Sequence, residues 1–63
     1  MNRIKVIIEE QGIIQAWLSH QLVKFSNIVN GYLQNRNQPS SEVIYRIKDI
    51  LRVEVKNILI SSK

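Results

Sequence analysis

The chain has 63 residues, 28 of them apolar and none of them cysteine, and carries a net charge of +4. That length suffices for one small core and no more, and the absence of thiols excludes a disulfide framework and any thiolate metal site. One histidine and five scattered carboxylates form neither a protein-only metal cage nor a nucleophile-and-base set, so the expectation is a non-enzyme that needs no metal or cofactor.

Isoleucine and valine supply 17 residues, which by propensity favours strands, but their spacing favours helices. Ile4, Ile7 and Ile8 recur at i, i+3 and i+4, which predicts a first helix near residues 2–10, ended by Gly12 as a left-handed cap. Leu18 and Leu22 mark a second helix over about 15–22, followed by a tight turn at Val23-Lys24-Phe25. Ser26 caps or opens a third helix, whose apolar positions Val29, Tyr32 and Leu33 carry it to about residue 33. A polar loop from Gln34 closes at Pro39, and Ser40 or Ser41 starts a fourth helix through Ile44, Ile47, Ile50 and Leu51. Val55 to Ile60 makes a last short helix, and Ser61, Ser62 and Lys63 should fray. Val53-Glu54-Val55 is the one brief strand-like alternation.

The second and third helices, joined by about three residues, have the local signature of a helix-turn-helix. Neither is stable alone at that length, so they must share a core. The expected core is Leu18, Leu22, Val29 and Leu33, closed by Ile4, Ile7, Ile13, Ile44, Ile47, Leu51 and Leu59, with Ser19 small where the two helices cross.

The carboxylates are Glu9, Glu10, Glu42, Asp49 and Glu54, so residues 11–41 contain none, while Lys24, Arg36 and many amides fall in that window. A surface that meets a polyanion needs such a stretch, because a misplaced carboxylate repels phosphate. Apolar runs reach three residues, far short of the ~20 that span a bilayer. No charged-then-apolar leader opens the sequence, so a cytoplasmic location away from membranes is expected.

Gln15-Ala16-Trp17-Leu18-Ser19, Asn27-Ile28-Val29-Asn30-Gly31-Tyr32-Leu33, Asn35-Arg36-Asn37-Gln38-Pro39-Ser40 and Ile47-Lys48-Asp49-Ile50-Leu51 resemble, in order and spacing, the Cro/repressor (XRE-type) helix-turn-helix family. Arg3-Ile4-Lys5 with Gly12 matches the family's first helix and its end, and Val55-Lys56-Asn57-Ile58-Leu59 resembles its fifth, so the likeness covers about residues 2–60. It implies an all-α, five-helix, lambda-repressor-like domain over residues 1–63 whose third helix, 26–33, enters the major groove of double-stranded DNA. It also implies a homodimeric, bacterial or phage-encoded transcriptional regulator that acts by occupying its operator. By position, Gln15 would touch a phosphate, Ser26, Asn27 and Asn30 would face base edges, and Asn35 and Arg36 would grip the backbone. Lys24 and Arg36 carry the charge for phosphate contacts at either end of the third helix. Asparagine's paired donor and acceptor match adenine, and Phe25 suits a thymine methyl.

The chain also departs from the family. Val23 replaces the turn glycine, a poor exchange if the turn needs positive φ. Ile14 stands where a capping Thr or Ser is usual, Gly31 where an arginine often reads bases, and Arg52 where a glycine ends the fourth helix. Val6, Ile8, Phe25 and Ile28 are apolar at positions the family commonly keeps polar, and with Ile14 and Val23 they would add exposed apolar surface if the family's exposure pattern holds. Such a surplus is either recruited to the core or displayed as a patch for a protein partner, centred on Val6, Ile8, Phe25 and Ile28. The alternative function is therefore a protein-interaction module, such as a phage or antitoxin-like subunit, on a helix-turn-helix scaffold.

Overall fold

Each apolar stripe becomes one helix in the computed structural model, which describes residues 2–59. The helices are α1 (Ile4–Glu10), α2 (Gln15–Leu22), α3 (Ser26–Leu33), α4 (Ser41–Leu51) and α5 (Val55–Ile58). The bounds expected for α2 and α3 coincide with those observed. α1 starts two residues later than expected, because Asn2 is drawn into an isolated antiparallel bridge with Leu59 and the Arg3 N–H donates to the Ile58 carbonyl at 2.7 Å. The expected extension of α5 to Ile60 and the fraying of residues 61–63 lie outside the described residues.

α2 packs on α3 and α4, α1 on α3, and α5 on α4. Ile4, Ile7, Leu18, Leu22, Val29, Leu33, Ile44, Ile47 and Leu51 form the core as expected, Ser19 is buried, and Ile13 packs half-buried against it. Two expectations fail. Ile8 is 3% exposed and belongs to the core, not to a surface patch, because it shares the inward stripe of α1 with Ile4 and Ile7. Leu59 is 47% exposed and Ile58 fills the core in its place. The chain leaves the helix at Leu59 for an extended conformation (φ −92°, ψ 138°), which turns that side chain out.

Four helices end in the same way. The backbone turns left-handed at Gly12 (φ 70°), Val23 (φ 54°), Asn35 (φ 60°) and Arg52 (φ 58°). After each, the next N–H reaches back five residues: Ile13 to the Ile8 carbonyl at 2.8 Å, Lys24 to Ser19 at 3.1 Å, Arg36 to Gly31 at 2.9 Å and Val53 to Lys48 at 3.2 Å. These are Schellman ends, for which glycine is the unstrained choice. Gly12 is the expected cap. Val23 and Arg52 meet the positive φ that disfavours them, whereas asparagine at 35 tolerates it best among residues with a Cβ.

Helix starts are unevenly capped. Ser40 Oγ accepts the Val43 N–H at 3.3 Å and opens α4. Ile14 and Phe25 precede α2 and α3 with no side-chain cap, so Ser26 opens its helix rather than capping it. The missing cap at Ile14 costs about 1 kcal/mol.

Gly31 lies inside α3, where alanine should gain roughly 0.5–1 kcal/mol. A Cβ there would meet Asn37 Nδ2 at 2.5 Å and Cγ at 3.3 Å, so the exposed Asn37 side chain must swing away. We expect Gly31→Ala to be close to neutral and the pair Gly31→Ala with Asn37→Ala to recover the full gain. Thermal melts of the two variants decide this; a full gain from the single change would mean that Asn37 is no obstacle.

Candidate nucleic-acid interface

The turn 23–25 brings the start of α3 against the start of α2, and a run of polar side chains grows from that junction. Gln15, the first residue of α2, donates through Nε2 to the Ser26 carbonyl at 3.1 Å and to Ser26 Oγ at 2.9 Å. Its Oε1 accepts from Asn30 Nδ2 at 3.1 Å. Asn30 Oδ1 accepts in turn from the Arg36 guanidinium at 2.7 Å. Ser26 and Asn30 are four residues apart and so share one face of α3. The network thus follows that face from its first residue to the loop beyond its end.

Of the eight residues expected at the interface, the structure therefore joins Gln15, Ser26, Asn30 and Arg36. Asn27 lies next to Ser26, exposed and outside the network, and Phe25 is 80% exposed just before it. Lys24 stands half-buried on the turn. Among the described residues neither Lys24 nor Arg36 pairs with a carboxylate; the two ion pairs seen, Lys48–Asp49 and Lys56–Glu54 at 3.4 Å, are exposed and on the later helices. Ion pairs of that kind contribute little. The α3 face therefore offers cationic and amide donors with no acid to repel an anion, and its amides can both donate to and accept from base edges.

Asn35 is placed apart from this network. Its Oδ1 accepts the Asn2 N–H at 2.8 Å and its Nδ2 donates to the Asn2 carbonyl at 3.4 Å. Its amide cannot grip a phosphate without releasing Asn2. Asn2 and Gln38, which hold Asn35, had no local signal: both are ordinary polar residues, brought together by contacts of Asn2 with Asn35 and Gln38 across more than thirty positions.

The apolar surplus divides. Val6, Ile14, Val23, Phe25 and Ile28 are exposed, with Val23 the most open at 83%, while Ile8 is not. Val23, Lys24 and Phe25 line one open hollow with Ser19 and His20 of α2. No helix among the described residues is long and apolar enough to cross a membrane.

No known protein family matches the chain, and neither does any curated protein. Among solved structures it is similar to a putative DNA-binding protein from Bacteroides fragilis, at 29% identity and a TM-score of 0.89, covering 92% of this chain and 94% of that one. The similarity extends over the five-helix arrangement, so the two proteins share the fold.

Proposed function

We propose that this chain is a DNA-binding regulator of the Cro/repressor (XRE) type, which lays α3 in the major groove of double-stranded DNA. The observation that carries the reading is the acid-free face of α3, where Gln15, Ser26, Asn30 and Arg36 are joined by hydrogen bonds into one preorganised row. The DNA-binding description of the similar Bacteroides fragilis protein supports it. Acting as a homodimer, two such helices would enter successive major grooves about 34 Å apart on a pseudo-palindromic operator. Regulation would be by occupancy, in the cytoplasm of a bacterium or phage-infected cell, with no cofactor.

The roles divide by chemistry. Lys24 and Arg36 hold phosphates on either side of the helix and read no sequence. Asn27, outside the network, is the principal base reader, and Phe25 meets a thymine methyl. Asn30 has two tasks, because the oxygen that would face a base also steers Arg36. Lys24→Ala and Arg36→Ala should therefore weaken binding about equally on selected and random duplexes and lower the salt slope by roughly one each. Asn27→Ala should cost about 1–3 kcal/mol on a selected operator, with binding to random DNA and the salt slope unchanged. Operator selection from a random pool followed by salt titrations of these variants tests the assignment; silence of all three would remove it.

A second reading rests on the turn, where Val23 and Phe25 display apolar surface that the chain itself does not cover. A docking module would use that surface for a protein and show no binding to random duplex DNA even at low salt.

A further inference from the structure

Asn2 is 5% exposed, and every polar group of its side chain is engaged. Its Oδ1 accepts the Ile4 N–H at 3.0 Å and closes the start of α1, while its Nδ2 donates to the Tyr32 carbonyl at 3.1 Å in the last turn of α3. The same Nδ2 donates to Gln38 Oε1 at 3.3 Å, and Gln38 Nε2 donates to Asn35 Oδ1 at 3.3 Å. Together with the two bonds between Asn35 and the Asn2 backbone, these close a ring of three amide side chains around the ends of the loop that carries Arg36. The residues on both sides of Arg36 are thus tied to the second residue of the chain, which the adjoining Arg3 N–H fastens to α5.

The conformation at Asn35 adds a second observation. A left-handed residue at the end of α3 needs only glycine, and Asn35 occupies it with a side chain turned to Asn2. Arginine's long stem has many rotamers, and holding its loop rigid lowers the ordering cost of a contact made by its tip.

We propose that Asn2, Asn35 and Gln38 form a positioning clasp that sets Arg36 for phosphate contact, so that residues remote from α3 in sequence determine how firmly its far end holds DNA. The clasp rests on the DNA-binding reading given above. Asn35→Gly is the informative variant, because glycine keeps the left-handed backbone while removing the amide. Its binding to a random 20-base-pair duplex should weaken by the same factor as that of Arg36→Ala, with a salt slope lower by roughly one. The double variant Asn35→Gly/Arg36→Ala should bind no more weakly than Arg36→Ala alone, a non-additivity that a general loss of stability would not produce. Asn2→Ala should follow Asn35→Gly, and circular dichroism with thermal melts identifies any variant that has failed to fold. A folded Asn35→Gly with wild-type affinity and slope, or additive losses in the double variant, would overturn the clasp while leaving DNA binding in place. A wild-type chain that shows no salt-dependent duplex binding would instead remove the DNA-binding reading, and the clasp's purpose with it.

Discussion

Ile8→Lys should leave the chain largely unfolded at 25 °C, whereas Phe25→Ser should leave it folded, with a melting temperature unchanged or a few degrees higher, because serine at that position can supply the cap that α3 lacks. The two residues belong to one class by composition, apolar side chains in excess of the family pattern, and burial separates them: Ile8 is 3% exposed and Phe25 80%. Losing a buried isoleucine costs about 2–5 kcal/mol, and an ammonium forced into the same place adds its desolvation. Total stability at roughly 0.05–0.15 kcal/mol per residue is only about 3–9 kcal/mol for a chain of this length. Removing the exposed Phe25 ring costs about 0.5 kcal/mol or less, and a serine cap at the start of α3 can contribute about 0.5–2 kcal/mol in the other direction. Far-ultraviolet circular dichroism of the two variants decides the matter. A folded, soluble Ile8→Lys would place Ile8 back on the surface. Sedimentation of Phe25→Ser beside the wild type then tests self-association at the turn, since only this variant removes apolar surface without opening the core.

The opposite effect is expected where the backbone is strained. Val23→Gly should stabilise the chain by about 1 kcal/mol, and adding Arg52→Gly should bring the gain to roughly 1–2 kcal/mol. Both residues hold a left-handed conformation, which costs a residue with a Cβ about 1–2 kcal/mol. The entropy that glycine adds to the unfolded chain returns ~0.4–1 kcal/mol of that. Little packing is lost in exchange, since both side chains are exposed. At about 4–8 °C per kcal/mol the double variant should melt roughly 5–10 °C higher. Gly12→Ala is the control of opposite sign: a Cβ there meets nothing within 4 Å, so any loss of stability arises from the φ of +70° alone. If Val23→Gly lowered the melting temperature, the left-handed turn between α2 and α3 would be in doubt.

The helices were legible because their apolar stripes repeat with the helical period, and the bounds of α2 and α3 follow from punctuation at Gly12, the 23–25 turn and the polar loop. Ile8 shows two signals in conflict: its spacing from Ile4 placed it inside, the family's exposure pattern placed it outside, and spacing prevailed. Leu59 was misplaced for another reason. The helical pattern continues through it, but the chain leaves the helix to pair with Asn2, a partner with no trace in the local sequence. The candidate site divides similarly. The absence of acids from residues 11–41 and the amides of α3 are sequence properties. That Gln15 would lock onto Ser26 and Asn30 depends on how α2 meets α3, and that Asn35 would turn to Asn2 depends on a contact across 33 positions.

The most direct measurement of the central claim is a nuclear magnetic resonance titration of the wild-type chain with a random-sequence duplex at low salt. Amide shifts should concentrate at Gln15, Lys24 to Asn30 and Arg36, and should retreat as salt is raised and counterions compete for the phosphates. Shifts that are absent, or that gather around Tyr45 and Val55 on the later helices and ignore salt, would contradict the assignment of α3 as the DNA-binding face.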